Sequence, residues 1–221
     1  MDISDIFKIK KGITSIIGGG GKTSLMYALG KDLSSKGNVI LCTSAKILIP
    51  KDIPVIEDKF LIPSALEKRS LICVGSYFSE KKLTCPKFPI EELKNFADYI
   101  LVEADGSKSL PFKAHLDFEP PIPSDTDLKI LVMGINSLEK PISQTCHRPE
   151  KVSEILKVSQ SEILTEALAA SIINFENLHD ILFINQVENE KDFYLAKNLS
   201  KLIKTPVIIG SIKKGWFKWL S

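Results

Sequence analysis

Seven short apolar runs, rich in β-branched residues, recur along the chain at positions 13–17, 39–43, 71–74, 99–103, 129–133, 181–185 and 207–210. Tyr99-Ile100-Leu101-Val102 shows their character: the apolar positions are continuous rather than alternating, as in strands buried on both faces. Between several of them the apolar spacing changes to that of a helix, most clearly over 22–36, where Leu25, Met26, Ala28, Leu29 and Leu33 share one face. Further helices are expected over 91–96, 149–157, 161–175 and 190–203. Strands alternating with helices imply an α/β fold, a three-layer αβα sandwich around a mainly parallel sheet, with ligands collected at the carboxyl edge of the strands. Two stretches, 46–67 and 107–125, follow neither period and read as irregular insertions of the kind that serve as lids or binding loops. A chain of 221 residues, 44% of them hydrophobic, suffices for one such domain with a full core. One domain over 1–221 is therefore expected.

Candidate chemistry begins at the turn after the first strand. Gly18, Gly19, Gly20 and Gly21 are followed by Lys22, Thr23 and Ser24, between a strand and a helix in the order a phosphate loop requires. Glycines let backbone N–H groups approach phosphate oxygens, Lys22 reaches the terminal phosphates, and Thr23 offers a hydroxyl to Mg²⁺. The spacing is G-x-x-G-K-T over 18–23, with Ile16 where the usual longer motif has its first glycine. Overall this is a P-loop NTPase-like arrangement, so the single domain over 1–221 is expected to bind a nucleotide. The shortened loop resembles that of the Mur ligases, which keeps open an ATP-dependent ligase or transferase acting on a small molecule, or a nucleotide-gated binding protein with negligible turnover.

Two more strand tips carry chemistry. Residues 99–106 run from an apolar strand into Glu103-Ala104-Asp105-Gly106, with the spacing of a D-x-x-G motif and Glu in place of Asp. A carboxylate there suits a Mg²⁺–nucleotide complex, directly or through water. Glu103 is assigned to the metal beside Thr23; with Lys22, Glu103 and Asp105 form the catalytic set, Asp105 sharing the metal or orienting the attacking water. Asn185-Gln186-Val187-Glu188 resembles the N-K-x-D base-recognition motif, in which the acid accepts from guanine N1–H and N2–H₂ and so favours GTP over ATP. Asn185 and Glu188 are the base-side candidates, and Gly210-Ser211 falls where a base-contacting loop would lie.

Charge narrows the partners. Twenty-nine Lys+Arg against 27 Asp+Glu, without blocks of like charge, lacks the footprint of a nucleic-acid or acidic-membrane binder. The four cysteines form no C-x-x-C pair, so reduced thiols are expected, with Cys42 and Cys73 in the core and Cys146 in a more polar, exposed setting. No apolar stretch reaches the roughly 20 residues of a membrane span and the amino terminus lacks a signal-peptide core, so a cytoplasmic protein is expected. Lys108, Lys113 and the pair His147-Arg148 are candidate anion contacts. His115 and His179 read as surface or satisfied core histidines, and Trp216, Phe217 and Trp219 as a tail that docks on the core.

Five blocks in order, GGGGKTS at 18–24, LVEADGSKSLPFKA at 101–114, EPPIP at 119–123, CHRPE at 146–150 and INQVE at 184–188, resemble the YqeC family of selenium-dependent hydroxylase accessory proteins. The residues after the second strand, Cys42-Thr43-Ser44-Ala45-Lys46, depart from that family's T-T-T-K by an alanine, and His115 stands where a proline commonly follows Ala114. The resemblance implies a GTPase-like layout and a role in maturing molybdenum hydroxylases that carry a labile selenium. The implied partners are the hydroxylase or its molybdopterin-type cofactor.

Overall fold

All seven expected strands form, and three of them, Val39–Thr43, Ile181–Asn185 and Val207–Ser211, are buried at every residue. The computed structural model describes residues 2–220. They group into two compact units, one of residues 2–16, 23–106 and 121–128, the other of residues 17–22, 107–120 and 129–220. The chain is α/β, with mainly parallel strands flanked by helices, as the alternation of periods predicts.

In the first unit the strand order is Gly12–Gly18 (through residue 16), Tyr99–Glu103, Val39–Thr43, Leu71–Val74 and Val55–Ile56, all parallel. The registers set Glu103 opposite Ile16 on one side and Thr43 on the other, which fixes the acidic tip at the carboxyl edge. The helix Lys22–Leu33 lies close to this sheet: a Cβ on Gly30 would meet Leu41 Cδ2 at 2.8 Å. The stretch 46–67 is more ordered than its sequence suggests. It holds the strand Lys46–Leu48, paired with Lys82–Thr84 in a small antiparallel sheet completed by Ser76–Ser79, then Val55–Ile56 and the helix Ile62–Lys68. Pro50, Pro54 and Pro63 cut these elements too short for a period to show. The expected helix over 91–96 is instead a 3₁₀ segment, Ile90–Asn95, starting straight after Pro89.

In the second unit the parallel strands Thr126–Gly134 (from residue 129), Ile181–Asn185 and Val207–Ser211 are followed by Trp216–Trp219, antiparallel at the edge. The aromatic tail thus docks by strand pairing, with the Phe217 ring centroid 5.8 Å from that of Phe183. Its longer helices are Pro149–Leu156, Glu166–Glu176 and Glu190–Ser200. The second starts later than the expected 161 because Thr165 Oγ1 accepts the N–H of Leu168 as an N-cap; Asn189 caps the third through the N–H of Asp192. No described helix is long and apolar enough to cross a membrane.

Candidate functional site

The glycine loop is built by close backbone approach. Gly19 N–H donates to Val132 O at 2.8 Å and Gly20 N–H to Leu110 O at 3.2 Å, seating the loop on two neighbouring segments. Gly20 has φ +73°, and a Cβ there would collide with the backbone nitrogen of Gly134. Gly21 has φ +121°, and a Cβ there would reach 2.5 Å from Asn185 Nδ2. No L side chain fits either place. Lys22 is buried and folds back over the loop, its Nζ donating to Gly18 O at 2.6 Å. The helix that begins at Lys22 brings first-turn N–H groups without intrahelical acceptors, the donors an anion takes. Ser24 lies exposed on that turn.

In the first unit, Thr23 Oγ1 donates to Glu103 Oε2 at 2.6 Å. The hydroxyl proton is spent on the carboxylate, so the oxygen lone pairs remain available to a cation. Hydroxyl and carboxylate oxygens are hard donors of the kind Mg²⁺ prefers, and this pair fits that ion. Glu103 is held from its backbone side as well: Thr43 Oγ1 donates to its carbonyl at 2.8 Å and Ser44 N–H at 3.2 Å, while Ala45 N–H donates to Thr43 Oγ1. Hence the departure at Ala45 from the T-T-T-K pattern leaves this anchor intact. Asp105 is buried but lies past the end of the strand, so strand alternation does not place it on the face of Glu103. A Cβ on Gly106 would meet nothing within 4 Å.

In the second unit, Asn185 has both ends of its amide engaged. Nδ2 donates to Gly20 O at 2.8 Å and Oδ1 accepts from Ile212 N–H at 3.2 Å. Asn185 is therefore a strut between the glycine loop and the turn after Val207–Ser211. Gly210 and Ser211, expected in a loop, are the last residues of that strand, and the turn begins at Ile212. Gln186 adopts φ +66°, and its Oε1 is buried without a hydrogen-bond partner. Glu188 is partly exposed; its carboxylate stands 3.8 Å from Lys213 Nζ, and its carbonyl accepts from Lys214 Nζ.

The profile of the YqeC protein family matches residues 14–150, more than half of the chain. The chain belongs to the YqeC family. It is similar to the YqeC protein of Escherichia coli K12, 32% identical over 153 residues that cover 65% of this chain and 60% of that protein's length. Among solved structures, the hydrogenase maturation factor HypB from Archaeoglobus fulgidus aligns with a TM-score of 0.39 at 13% identity, over 93% of this chain and 83% of that one.

The YqeC match takes in a second group of charged residues, all in the second unit. The strands Phe112–Lys113 and Cys146–His147 pair in parallel, with His147 opposite Lys113. Glu119 Oε1 lies 3.3 Å from both Lys113 Nζ and Arg148 Nη2. Burial opposes ionisation of Glu119, but the Arg148 hydrogen bond, the Lys113 charge and the Leu116 amide hold its carboxyl below the ordinary range. Burial, with the charges of Lys113, Arg148 and Lys108, pushes His147 below the usual histidine value. Sequence reasoning gave Glu119 no role, although the acid opening Glu119-Pro120-Pro121 was a usable signal. It also passed over Gly134, whose proximity to Gly20 only the fold creates. His115 is a satisfied core histidine, its Nδ1 2.8 Å from Glu176 Oε2. Cys146, expected to be exposed, is buried, and burial pushes its thiol up to about 12.

Proposed function

We propose that this protein binds a Mg²⁺–nucleoside triphosphate, prefers guanine, hydrolyses the nucleotide, and serves in the cytoplasm as an accessory factor in maturing a selenium-dependent molybdenum hydroxylase. The observation that carries the nucleotide reading is the 2.6 Å bond from Thr23 to Glu103, directly after a glycine loop that tolerates no side chain. Residues 18–21 and the N–H groups beyond them receive phosphate oxygens, and Lys22 exchanges its bond to Gly18 O for the terminal phosphates. Thr23 and Glu103 hold Mg²⁺, which when bound neutralises charge on the phosphate oxygens. Asp105 orients the attacking water. Glu188 turns from Lys213 to accept from guanine N1–H and N2–H₂, while Asn185 keeps the glycine loop and the Ile212 turn in register. Family membership supports the pathway, through which the hydroxylase or its molybdopterin-type cofactor is the partner.

Calorimetric titration with Mg²⁺–GTP and Mg²⁺–ATP tests the nucleotide reading: GTP binds at least tenfold more tightly. Equal affinities remove the guanine assignment, and no binding of either removes the phosphate loop. Release of inorganic phosphate from GTP without any acceptor distinguishes hydrolysis from transfer. For the pathway, a deletion strain yields a folded, molybdenum-loaded hydroxylase short of selenium; normal selenium in that enzyme overturns the assignment.

A further inference from the structure

A cavity of 640 Å³ lies in the first unit between the helix Lys22–Leu33 and the segment from Leu48 to Ile53. Thr23, Tyr27 and Lys31, spaced four apart, form one stripe of the helix facing it. Leu48, Ile49, Pro50, Ile53 and Leu71 supply apolar walls, and the volume is that of a small-molecule site. Of the polar groups at the cavity, Thr23 is engaged by Glu103. Neither Lys31 nor Lys51 makes an ion pair through its ammonium among the described residues, and Asp52 is the single acid against these two cations. Burial pushes the Tyr27 hydroxyl up to about 12, so it stays a neutral donor at any physiological pH. Leu48 remains 64% exposed beside this opening.

We propose that this cavity is a second ligand site, taking a small organic anion with a planar apolar body. The body lies against Tyr27, Ile49 and Ile53, and the acidic group sits between Lys31 and Lys51. Apolar walls with a few placed polar groups give such a site both affinity and orientation. Thr23 lines the cavity, so a ligand there adjoins the residue assigned above to Mg²⁺. This last point rests on the nucleotide reading and makes the cavity the place for the cargo or second substrate whose binding is coupled to nucleotide. Coupling of this kind is reciprocal.

The test uses 8-anilinonaphthalene-1-sulfonate as the anionic probe and N-phenyl-1-naphthylamine as its neutral counterpart, titrated by fluorescence against the full chain. The expected result is one saturable site with at least tenfold preference for the sulfonate. Lys31→Ala and Lys51→Ala each weaken the anionic probe roughly threefold to tenfold and leave the neutral one unchanged. Ile53→Trp, which fills the cavity, abolishes both. Unsaturable binding, equal affinities of the two probes, or a preference unaffected by both lysine variants overturns the proposal, and the lysine variants decide it if Ile53→Trp does not fold. Mg²⁺–GTP titrated in parallel separates the two readings: loss of probe binding with GTP binding intact sinks the cavity alone, and the reverse sinks the nucleotide assignment alone.

Discussion

Thr23 Oγ1 stands 2.6 Å from Glu103 Oε2, bonding the first turn of the helix Lys22–Leu33 to the tip of the strand Tyr99–Glu103 across 80 residues of sequence. If this pair holds Mg²⁺, Glu103→Gln lowers GTP affinity at least tenfold in the presence of Mg²⁺ and changes it little in EDTA. Calorimetry under the two conditions checks this. An equal loss in both would mean that the pair is a structural tie only.

Lys22 Nζ donates to Gly18 O across the loop. A charge-assisted hydrogen bond is worth about 1.5–3 kcal/mol, so Lys22→Ala weakens triphosphate binding roughly 10- to 150-fold. Far-ultraviolet circular dichroism establishes that the variant is folded. Unchanged affinity in a folded variant removes the phosphate-loop assignment.

Gly20 and Gly106 respond differently to the same change. Gly20→Ala forces a Cβ onto the backbone of Gly134 at a positive φ, so Tm falls by several degrees and nucleotide binding is lost. Gly106→Ala meets open space and leaves Tm within about 1 °C of wild type. A drop in nucleotide affinity for Gly106→Ala at unchanged Tm would show that a ligand, rather than the fold, requires glycine there.

Asn185 and Glu188 differ in what they do to the two nucleotides. Asn185→Ala leaves Gly20 O and Ile212 N–H without their partner, at about 1–3 kcal/mol for each group left unsatisfied, and weakens GTP and ATP alike. Glu188→Ala weakens GTP alone and erases the preference. Paired titrations of each variant read out this difference.

Stability at low pH depends on His179, buried with its Nε2 2.8 Å from Thr205 Oγ1. Burial, helped by Lys129 and opposed by Asp180, lowers its pKa from 6.5 to about 4. The unfolded chain therefore binds the proton more readily than the folded one. The contribution is fully present above about pH 6.5 and is lost as pH falls toward 4, at most about 3 kcal/mol in all. Urea unfolding between pH 7 and pH 4 shows this slope in wild type, and His179→Gln flattens part of it. An unchanged slope in the variant would place the acid sensitivity elsewhere, His147 being the next histidine whose pKa burial lowers.

The sequence by itself determined the seven main strands and the order of strand, glycine turn and helix, and it singled out Lys22, Thr23 and Glu103 as candidates for the proposed chemistry. Each is a local matter: continuous apolar runs must be buried on both faces, and a Gly-Gly-Gly-Gly-Lys-Thr turn has few uses besides phosphate. The short elements within 46–67 escaped because prolines broke their periods, and Cys146 was misjudged because its polar neighbours say nothing of what packs above it. Only the tertiary structure decided that Thr23 reaches Glu103, that Asn185 ties both ends of its amide to Gly20 and Ile212, and that Glu119 joins Lys113 to Arg148. These partners lie between 6 and 165 residues apart. Most of the pairings arise from parallel strand registers and crossover connections, which bring distant strand tips and loops together, and no local period encodes such a meeting.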